Sequence, residues 1–431
     1  MAPDTFDWLF DLAQFGIKFG LENMRAIVAE LGHPERAFRS LHVAGTNGKG
    51  SVTAMAETAL RLAGQRTARY TSPHLVDLAE RFVIDGRPVD RAALRESADR
   101  VRGAVDALRT RGVLEVHPTF FEVTTAIAFD LFRVAQVDVA VCEVGLGGRL
   151  DATNVLSPVA TAITSIGFDH QQYLGSTLAD IAREKAGIIK PGVPVVLGSL
   201  PHDAAAAVAR IADERHAPLV RSDEEVHVGP VTTVANGQQQ FALRTVTRDY
   251  GRVQLALAGA HQLGNAAVAV RLLEVAEHQG IAVGAEAIRR ALGAVQWPGR
   301  LQHLTLANGA DALLDAAHNG EGAAALAQYL GSLGAPRPLV FSAMRDKDVT
   351  TMLQALLPAV SDIVITRASN PRAAEPADIA RLVQTLAPDR RVSTCESPAE
   401  AIARASHGGQ DVVVAGSIFL LGDVLEAVRL S

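Results

Sequence analysis

The chain has 431 residues and a formal net charge of −6, and 48% of its residues are hydrophobic. The length predicts two domains, and the composition is typical of a globular chain rather than a disordered one. The acidic balance argues against a nucleic-acid partner, and no apolar run reaches the length of a membrane span. The two cysteines, Cys142 and Cys395, indicate neither a disulfide framework nor a thiolate metal site. The first residues lack a secretory pattern, so we expect a cytoplasmic protein, and we expect a monomer.

The N-terminal residues show helical spacing before the first strand. Residues 4–31 predict an amphipathic helix that ends near Gly32 and Pro34, and its predicted apolar face comprises Phe6, Leu9, Phe10, Ala13 and Ile17. A short apolar run at 41–44 then predicts a strand, and residues 52–64 predict a helix.

A glycine-rich loop, Gly45-Thr46-Asn47-Gly48-Lys49-Gly50-Ser51, joins that strand to that helix. Glycines let the backbone turn so that successive N–H groups point at one anion, and the helix N-terminus adds partial positive charge. Lys49 supplies a full charge, and Ser51 offers a hydroxyl near any magnesium ion. The Walker pattern is imperfect, because Val43 stands where the first glycine is expected and Gly50 follows the lysine. The alternative is a plain turn with an incidental lysine, but the residue types favour nucleotide phosphate binding.

Strand and helix patterns alternate through the rest of the chain. Strands are predicted at 67–70, 137–142, 159–165 and 193–197, and helices at 90–111, 120–135, 178–189, 203–214 and 261–279. Beyond Trp297-Pro298-Gly299-Arg300, strands near 312–314, 338–342, 363–366 and 412–415 alternate with helices near 322–333, 349–360, 376–386 and 397–405. This order is typical of βαβ units on a parallel sheet.

The fold prediction is therefore an α/β protein with two domains. Residues 1–297 would form an N-terminal P-loop ATPase domain, a parallel sheet flanked by helices. Residues 298–431 would form a smaller C-terminal Rossmann-like α/β domain. We expect the two domains to close over a nucleotide, with 297–300 near the hinge.

Polar residues follow three of the predicted strands: the loop at 45–51, Glu143 and His170. Ligands of parallel sheets bind beyond the carboxyl ends of the strands, so these groups should share one edge. Glu143 beside a triphosphate would suit magnesium, which prefers carboxylate, phosphate and water oxygens; the alternative is a solvated carboxylate. A lone histidine such as His170 is more often a hydrogen-bonded loop residue, and Lys185 alone would be a surface charge.

Taken together, these segments resemble the folylpolyglutamate synthase and dihydrofolate synthase family of the Mur ligase superfamily. The matching stretches run in family order at 42–51, 70–75, 143–154, 169–170, 184–188, 259–262, 265–266, 298–300, 315–319 and 346–348. The phosphate loop alone would give only the superfamily. Thr71-Ser72-Pro73-His74-Leu75 and Leu146-Gly147-Gly148-Arg149-Leu150-Asp151-Ala152-Thr153-Asn154 point to the folate branch.

The resemblance implies roles that the residues alone leave open. It implies a central ATP-binding domain preceded by folate-binding helices, and an ATP site formed by Gly45, Thr46, Asn47, Gly48, Lys49, Gly50, Ser51, Asn265, Arg300 and Asp315. Magnesium, with two ions expected, would be ligated by Ser72, Glu143 and His170. Lys185 would be carbamylated and help to hold the second ion. The implied catalytic residues are Lys49, His170, Lys185 and Arg300, and His318 lies in a matching motif without an assigned role.

The pterin-bearing substrate is implied to contact a second set of residues: Lys18, Phe19, Thr119, Phe120, Phe121, Glu122, Leu150, Asp151 and Ala152. The implied enzyme is an ATP-dependent, ADP-forming ligase that adds L-glutamate to dihydropteroate and to folates through an acyl phosphate. Its partners would be small molecules: ATP, L-glutamate, and dihydropteroate or folates.

Three alternatives stay open at this point. The chain could be a folylpolyglutamate synthase only, or a Mur ligase acting on a murein precursor, against which the turn at 71–75 argues. It could also be a nucleotide-dependent switch. A switch would need an Asn-Lys-x-Asp motif, and Arg345-Asp346-Lys347-Asp348 has aspartate where asparagine is required.

Overall fold

The computed structural model describes residues 5–16, 18–234 and 237–430. Within these ranges the helices are α1 Thr5–Asp11, α2 Glu22–Glu30, α3 Lys49–Leu62, α4 Arg91–Thr110, α5 Phe120–Val134, α6 Gln171–Leu174, α7 Leu178–Ala186, α8 His202–Glu214, α9 Ser222–Glu225, α10 His261–His278, α11 Ala285–Ala294, α12 Gly320–Gly331, α13 Val349–Leu356, α14 Pro376–Leu386, α15 Pro398–Ala405 and α16 Ile418–Leu430. None of these described helices has the length and apolarity needed to cross a membrane.

The strands of the same ranges form three sheets. They are β1 Arg39–Ala44, β2 Thr67–Tyr70, β3 Phe82–Ile84, β4 Arg87–Pro88, β5 Val139–Glu143, β6 Ala160–Ile163, β7 Val195–Leu197, β8 Leu219–Arg221, β9 Val226–Val228, β10 Thr232–Thr233, β11 Gln239–Thr245, β12 Asp249–Leu255, β13 Gln302–Thr305, β14 Asp311–Leu314, β15 Arg337–Phe341, β16 Val360–Ile365, β17 Val392–Thr394 and β18 Val412–Ala415.

The first sheet positions the loop at 45–51. Its strand order is β4-β3-β2-β5-β1-β6-β7-β8, and β1 pairs in parallel with both β5 and β6. All five residues of β5 are buried, as expected for an inner strand with both faces covered. The carboxyl ends of β5, β1 and β6 are therefore adjacent. The loop at 45–51, Glu143 and His170 all line one cavity, so the prediction that they meet at one edge is confirmed.

Three apolar cores cover the faces of this sheet. Helices α3, α10 and α11 pack on one face, together with inward residues of the antiparallel sheet β9–β12. On the other face, helices α1, α2, α4 and α5 cover the side of β2 and β5, and α7 and α8 cover the side of β6 and β7. The sheet is thereby held between helices, and its loops are left free at one edge to form a site.

The third sheet has the order β13-β14-β18-β15-β16-β17, with every pair parallel except β13–β14. Helices α12 to α16 connect or flank these strands, so the predicted βαβ pattern and the α/β fold class are confirmed. The predicted boundary at 297/298 stays a prediction. The chain passes there from α11 to β13 through an irregular segment.

The structure corrects several predicted elements. The helix predicted over 4–31 is wrong in its middle, because α1 ends at Asp11 and α2 begins only at Glu22. Gly16 and Gly20 lie between them with φ of +65° and +132°, which favour glycine and interrupt a helix. Ile17, assigned to the apolar face, lies outside the described residues. No element was predicted where α11, α16, β13 and β17 lie.

Candidate active site

The loop at 45–51 is held by the segment that follows β6. The Thr46 N–H donates to the Ser165 carbonyl at 2.8 Å, and the Asn47 N–H donates to Ser165 Oγ at 2.9 Å. Two of the loop amides are therefore already used inside the protein. The amides of 48–51 stand at the N-terminus of α3, where the N–H groups have no intrahelical acceptors.

Helix α3 begins at Lys49, three residues earlier than predicted, so the loop runs directly into its N-terminus. Gly48 precedes it with φ of +84°, and a Cβ there would lie 2.2 Å from Asn265 Oδ1. Both the conformation and the space require glycine. The amides of 48–51 thus form an anion site at a helix N-terminus, beside Asn265.

Two lysines converge on the carbonyl of Gly45. Lys49 Nζ donates to it at 3.1 Å and to the Thr46 carbonyl at 3.1 Å, and Lys185 Nζ donates to the Gly45 carbonyl at 3.0 Å. Lys185 is only 5% exposed. Burial, reinforced by the Lys49 ammonium, lowers the pKa of Lys185 from 10.5 to about 7. A neutral amine is therefore available near neutral pH.

Glu143 ends β5 with 5% of its surface exposed, and the Ser72 N–H lies 3.4 Å from its Oε2. Burial raises the pKa of Glu143, and Lys49, Arg300 and Arg69 oppose that rise. A buried carboxylate among three cations is a strong local electrostatic feature of this cleft.

The donor set fits a hard cation that brings its own oxygens. Ser51 Oγ is buried, at 1% exposure, and has no hydrogen-bond partner among the described residues. An orphaned hydroxyl beside a phosphate loop and a buried carboxylate suits magnesium, which keeps water and phosphate ligands. No cluster of three His, Cys, Asp or Glu side chains able to hold a metal occurs in the described ranges. The protein alone therefore supplies only part of the coordination.

His170 lies beside an ion pair between the two halves of the chain. Lys347 Nζ is 2.5 Å from Asp169 Oδ1 and 3.2 Å from His170 Nε2. Burial lowers the pKa of His170 to about 4, so the imidazole is neutral and its Nε2 accepts from the ammonium. Burial alone would raise the pKa of Asp169, but Lys347 and two histidines hold it well below its usual range. The predicted metal ligand thus contacts a lysine here.

Arg300 and Asp315 fix the segment that joins the halves. Asp315 accepts the Leu301 N–H at 3.0 Å and the Ala317 N–H at 2.9 Å, one on each oxygen. Arg300 Nη1 donates to the Gly299 carbonyl at 3.1 Å. The residues predicted to bind ATP, the residues predicted to ligate magnesium and Lys185 all line one cleft of about 430 Å³.

A second cavity, of about 380 Å³, opens next to that cleft. All nine residues predicted to contact the pterin line it. The two spaces share Ser72, Pro73, Gly145, Leu146, His170, His318 and Ile418. We call them the nucleotide cavity and the acceptor cavity.

Glu122 is placed in the acceptor cavity by a helix cap. Its Oε2 accepts the Thr119 N–H at 2.8 Å, and Thr119 Oγ1 accepts the Glu122 N–H at 3.1 Å. The other oxygen, Oε1, has no partner among the described residues, and the side chain is 4% exposed. A buried, unpaired carboxylate oxygen is costly unless a ligand satisfies it.

Asp151 fastens the loop on the opposite wall. Its Oδ2 accepts the Gly145 and Leu146 N–H groups at 3.0 and 2.9 Å, and its Oδ1 accepts the Thr153 N–H at 3.0 Å. Burial raises the pKa of Asp151, and these donors oppose the rise. In the described structure Asp151 therefore shapes the cavity wall.

Sequence reasoning missed the C-terminal wall of the acceptor cavity. Met344, Lys347, Arg372, Ser417 and Phe419 line it, and none was assigned a role. One signal existed, since Ser417 follows β18 and polar residues at the carboxyl ends of parallel strands mark sites.

Comparison with known protein families assigns the two halves to one class. Residues 92–273 match the Mur ligase middle domain, and residues 299–418 match the Mur ligase, glutamate ligase domain. These matches define the chain as an ATP-dependent ligase of the Mur type.

Relatives narrow this class. The chain is 34% identical over 433 residues to the dihydrofolate synthase/folylpolyglutamate synthase of Bacillus subtilis (strain 168), covering 99% of both proteins. It is similar to the folylpolyglutamate synthase of Mycobacterium tuberculosis complexed with ADP and AMPPCP, with a TM-score of 0.90, 34% identity and 98% of each chain covered. The chain is also similar to E. coli FolC in complex with DHPP and ADP, with a TM-score of 0.86, 30% identity, and 100% of this chain and 98% of that one covered. The chain belongs to the dihydrofolate synthase/folylpolyglutamate synthase family.

Proposed function

We propose that this enzyme uses ATP to join L-glutamate to dihydropteroate and to folates, with release of ADP and phosphate. The observation that carries the proposal is the shared wall of the two cavities. An aromatic acid in the acceptor cavity would direct its carboxylate past Ser72 and His170 toward a triphosphate held at 48–51. Relatives of both activities, and relatives bound to ADP and DHPP, support it.

Condensing a carboxylate with an amine in water is unfavourable, so the carboxylate must first be activated. Attack of the carboxylate on the γ-phosphate gives an acyl phosphate and ADP. The glutamate amine then attacks the acyl carbon and phosphate leaves. The protein would contribute positioning and charge neutralisation, and Lys49 and Arg300, which both line the nucleotide cavity, carry charge of the right sign for this.

Magnesium would be held by Glu143, Ser72 and the orphaned hydroxyl of Ser51, with His170 joining once Lys347 has moved away. Bound there with the nucleotide, the ion supplies Lewis-acid neutralisation of phosphate charge. The chain itself contributes the buried carboxylate of Glu143, and the charged form of this carboxylate is favoured by Lys49, Arg300 and Arg69.

Lys185 has the properties that carbamylation needs. Addition of carbon dioxide requires a neutral amine, and it yields a carbamate anion and a proton. The buried Lys185 has a pKa of about 7 and lies 3.0 Å from the Gly45 carbonyl. The resulting anion would replace a cation beside Lys49 and favour a second magnesium ion.

Recognition of the pterin is assigned to the walls of the acceptor cavity. Phe120 and Phe121 offer flat apolar surface to a bicyclic ring. The unpartnered Oε1 of Glu122 would accept N–H groups of an aminopyrimidinone ring. The donors of the pterin and the orphan acceptor of the cavity thus match.

The deciding experiment is a coupled assay of ADP release with dihydropteroate or a reduced folate as glutamate acceptor. We expect glutamate-dependent ADP release with both acceptors. Release with the folate alone would leave a folylpolyglutamate synthase, the activity for which the similar Lacticaseibacillus casei relative is named. Hydrolysis indifferent to glutamate would contradict ligation altogether.

The proposal includes the site roles given above and a domain boundary at 297/298. It also includes a monomeric state, a cytoplasmic location and closure of the two domains over the nucleotide. Closure has its own test in solution scattering, with and without an ATP analogue and folate. Identical profiles would contradict it.

A further inference from the structure

Trp297 lies directly against the phosphate loop. A Cβ added to Gly50 would lie 2.4 Å from Trp297 Cζ2 and 2.8 Å from Cε2. Gly50 has ordinary helical backbone within α3, so it is needed here for space rather than for conformation. The indole therefore rests on the residue that follows Lys49.

The indole also contacts a partly buried cation, Arg69. Arg69 Cζ lies 5.0 Å from the centre of the Trp297 ring, within cation–π range. Arg69 Nη1 is 3.8 Å from Oε2 of Glu57, which lies two turns after Gly50 on α3. Arg69 Nε has no hydrogen-bond partner among the described residues. Trp297 is thus clamped between α3 and an arginine anchored to the same helix.

The residues after Trp297 are tied to the other half of the chain. The Gly299 carbonyl accepts the Ala316 N–H at 2.8 Å, and the Leu301 N–H donates to Asp315 at 3.0 Å. Gly299 has φ of +70°. Only two residues therefore separate the indole fixed on the phosphate loop from Arg300, which is fixed on the C-terminal sheet.

We propose that Trp297 is a positioning residue that sets the place of Arg300 relative to the phosphate loop. This inference rests on the proposed function. Anything that shifts the first turn of α3, such as a bound phosphate, moves the surface that supports the indole. The displacement passes along two residues to Arg300, which needs a defined position to neutralise the transferred phosphoryl group.

The contact between the Trp297 indole and Gly50 also explains the departure from the Walker pattern. A serine or threonine directly after Lys49 would carry a Cβ into the indole. The hydroxyl is instead displaced to Ser51, whose Oγ is buried without a partner. Gly50 and Trp297 therefore form a matched pair.

The test combines Trp297→Ala, Trp297→Phe, Gly50→Ser and the double variant Gly50→Ser/Trp297→Ala. We expect Trp297→Ala to lower kcat about 10- to 100-fold, with KM for ATP changed less than about threefold, since misplacement rather than phosphate binding is at fault. Trp297→Phe should retain most of kcat. Gly50→Ser should be harmful alone yet add little to Trp297→Ala. The proposal would be overturned if the effects of the two single substitutions on kcat multiplied in the double variant, or if kcat of Trp297→Ala lay within about twofold of the parent value.

A second readout detects the movement without turnover. Trp8 and Trp297 are the two tryptophans of the chain, so Trp8→Phe leaves Trp297 as the sole indole. Adding AMPPCP with magnesium should then change the emission of Trp297, and unchanged emission at saturating nucleotide would overturn the coupling. If both the parent protein and Trp8→Phe lacked glutamate-dependent ADP release, the result would contradict the proposed function instead.

Discussion

The nucleotide cavity and the acceptor cavity share a wall but are built by different means. The nucleotide cavity is also lined by several segments, but its anion site is one continuous loop, whose amides at 48–51 are presented by the start of α3. The acceptor cavity collects side chains from separate segments, among them 18–19, 119–122, 150–152 and 417–419. Damage to the first should stop chemistry for every acceptor. Damage to the second should change which acceptor is used and how tightly it is held.

The largest expected effect belongs to Lys49. Lys49→Ala should lower kcat by roughly 10³-fold with either acceptor, because it removes a preorganised positive charge that would neutralise the transferred phosphoryl group. The coupled ADP-release assay measures it, with circular dichroism to confirm folding. Arg183→Ala is the matched control, since it removes a positive charge from an exposed pair with Asp180. Near-normal turnover of Lys49→Ala would remove the phosphate loop from the mechanism.

An intermediate effect is expected at Glu122. Glu122→Gln keeps a side-chain oxygen for the cap with Thr119 but presents an amide where the pterin needs an acceptor. We expect KM for dihydropteroate to rise about tenfold, the size of one hydrogen bond to a charged group, with KM for ATP unchanged. Thr119→Ser, which keeps the hydroxyl of the cap, is the control. Equal rises in both KM values would show that the two cavities are not separable.

The last prediction concerns stability rather than turnover, and it is made for Lys185. Its pKa is about 7 in the folded chain and 10.5 when unfolded, so between these values only the unfolded chain binds the proton. The free energy of unfolding should then rise with pH by up to about 1.4 kcal/mol per unit, and the buried ammonium costs most below pH 7. Lys185→Met should therefore stabilise the protein most in acid, with a gain that shrinks toward pH 10.

Urea unfolding in carbon dioxide-free buffer at about pH 6.5, 8 and 9.5 measures this gain. Lys18→Met, at the rim of the acceptor cavity, is the comparison. A gain that did not change with pH would mean that Lys185 is not titrating in this range.

The sequence was informative where local chemistry alone decides the structure. The loop at 45–51 and Glu143 were placed by glycine spacing and by the strands before them. Lys185 needed the family resemblance, because its burial depends on distant packing. A Cβ at Gly148 would lie 2.6 Å from the Lys185 carbonyl, so a glycine loop far away in sequence is what covers this helix end.

The acceptor cavity was harder to predict for the same reason. Lys18 and Phe19 were assigned to it only by resemblance, and they were predicted to be helical although the described residues 18–20 belong to no helix. Phe419 belongs to α16, a helix that the sequence analysis omitted. Side chains that meet from remote segments leave no short-range pattern.

The ion pair at the meeting of the two halves has a consequence for the resting enzyme. Lys347 holds its ammonium against Asp169 and His170, both on the N-terminal side of the cleft. Under the proposed metal role of His170, the Lys347 ammonium occupies the place that a magnesium ion would take. Binding the ion there would exchange one positive charge for another, and Lys347, which also lines the acceptor cavity, would then be available to pair with an incoming anion.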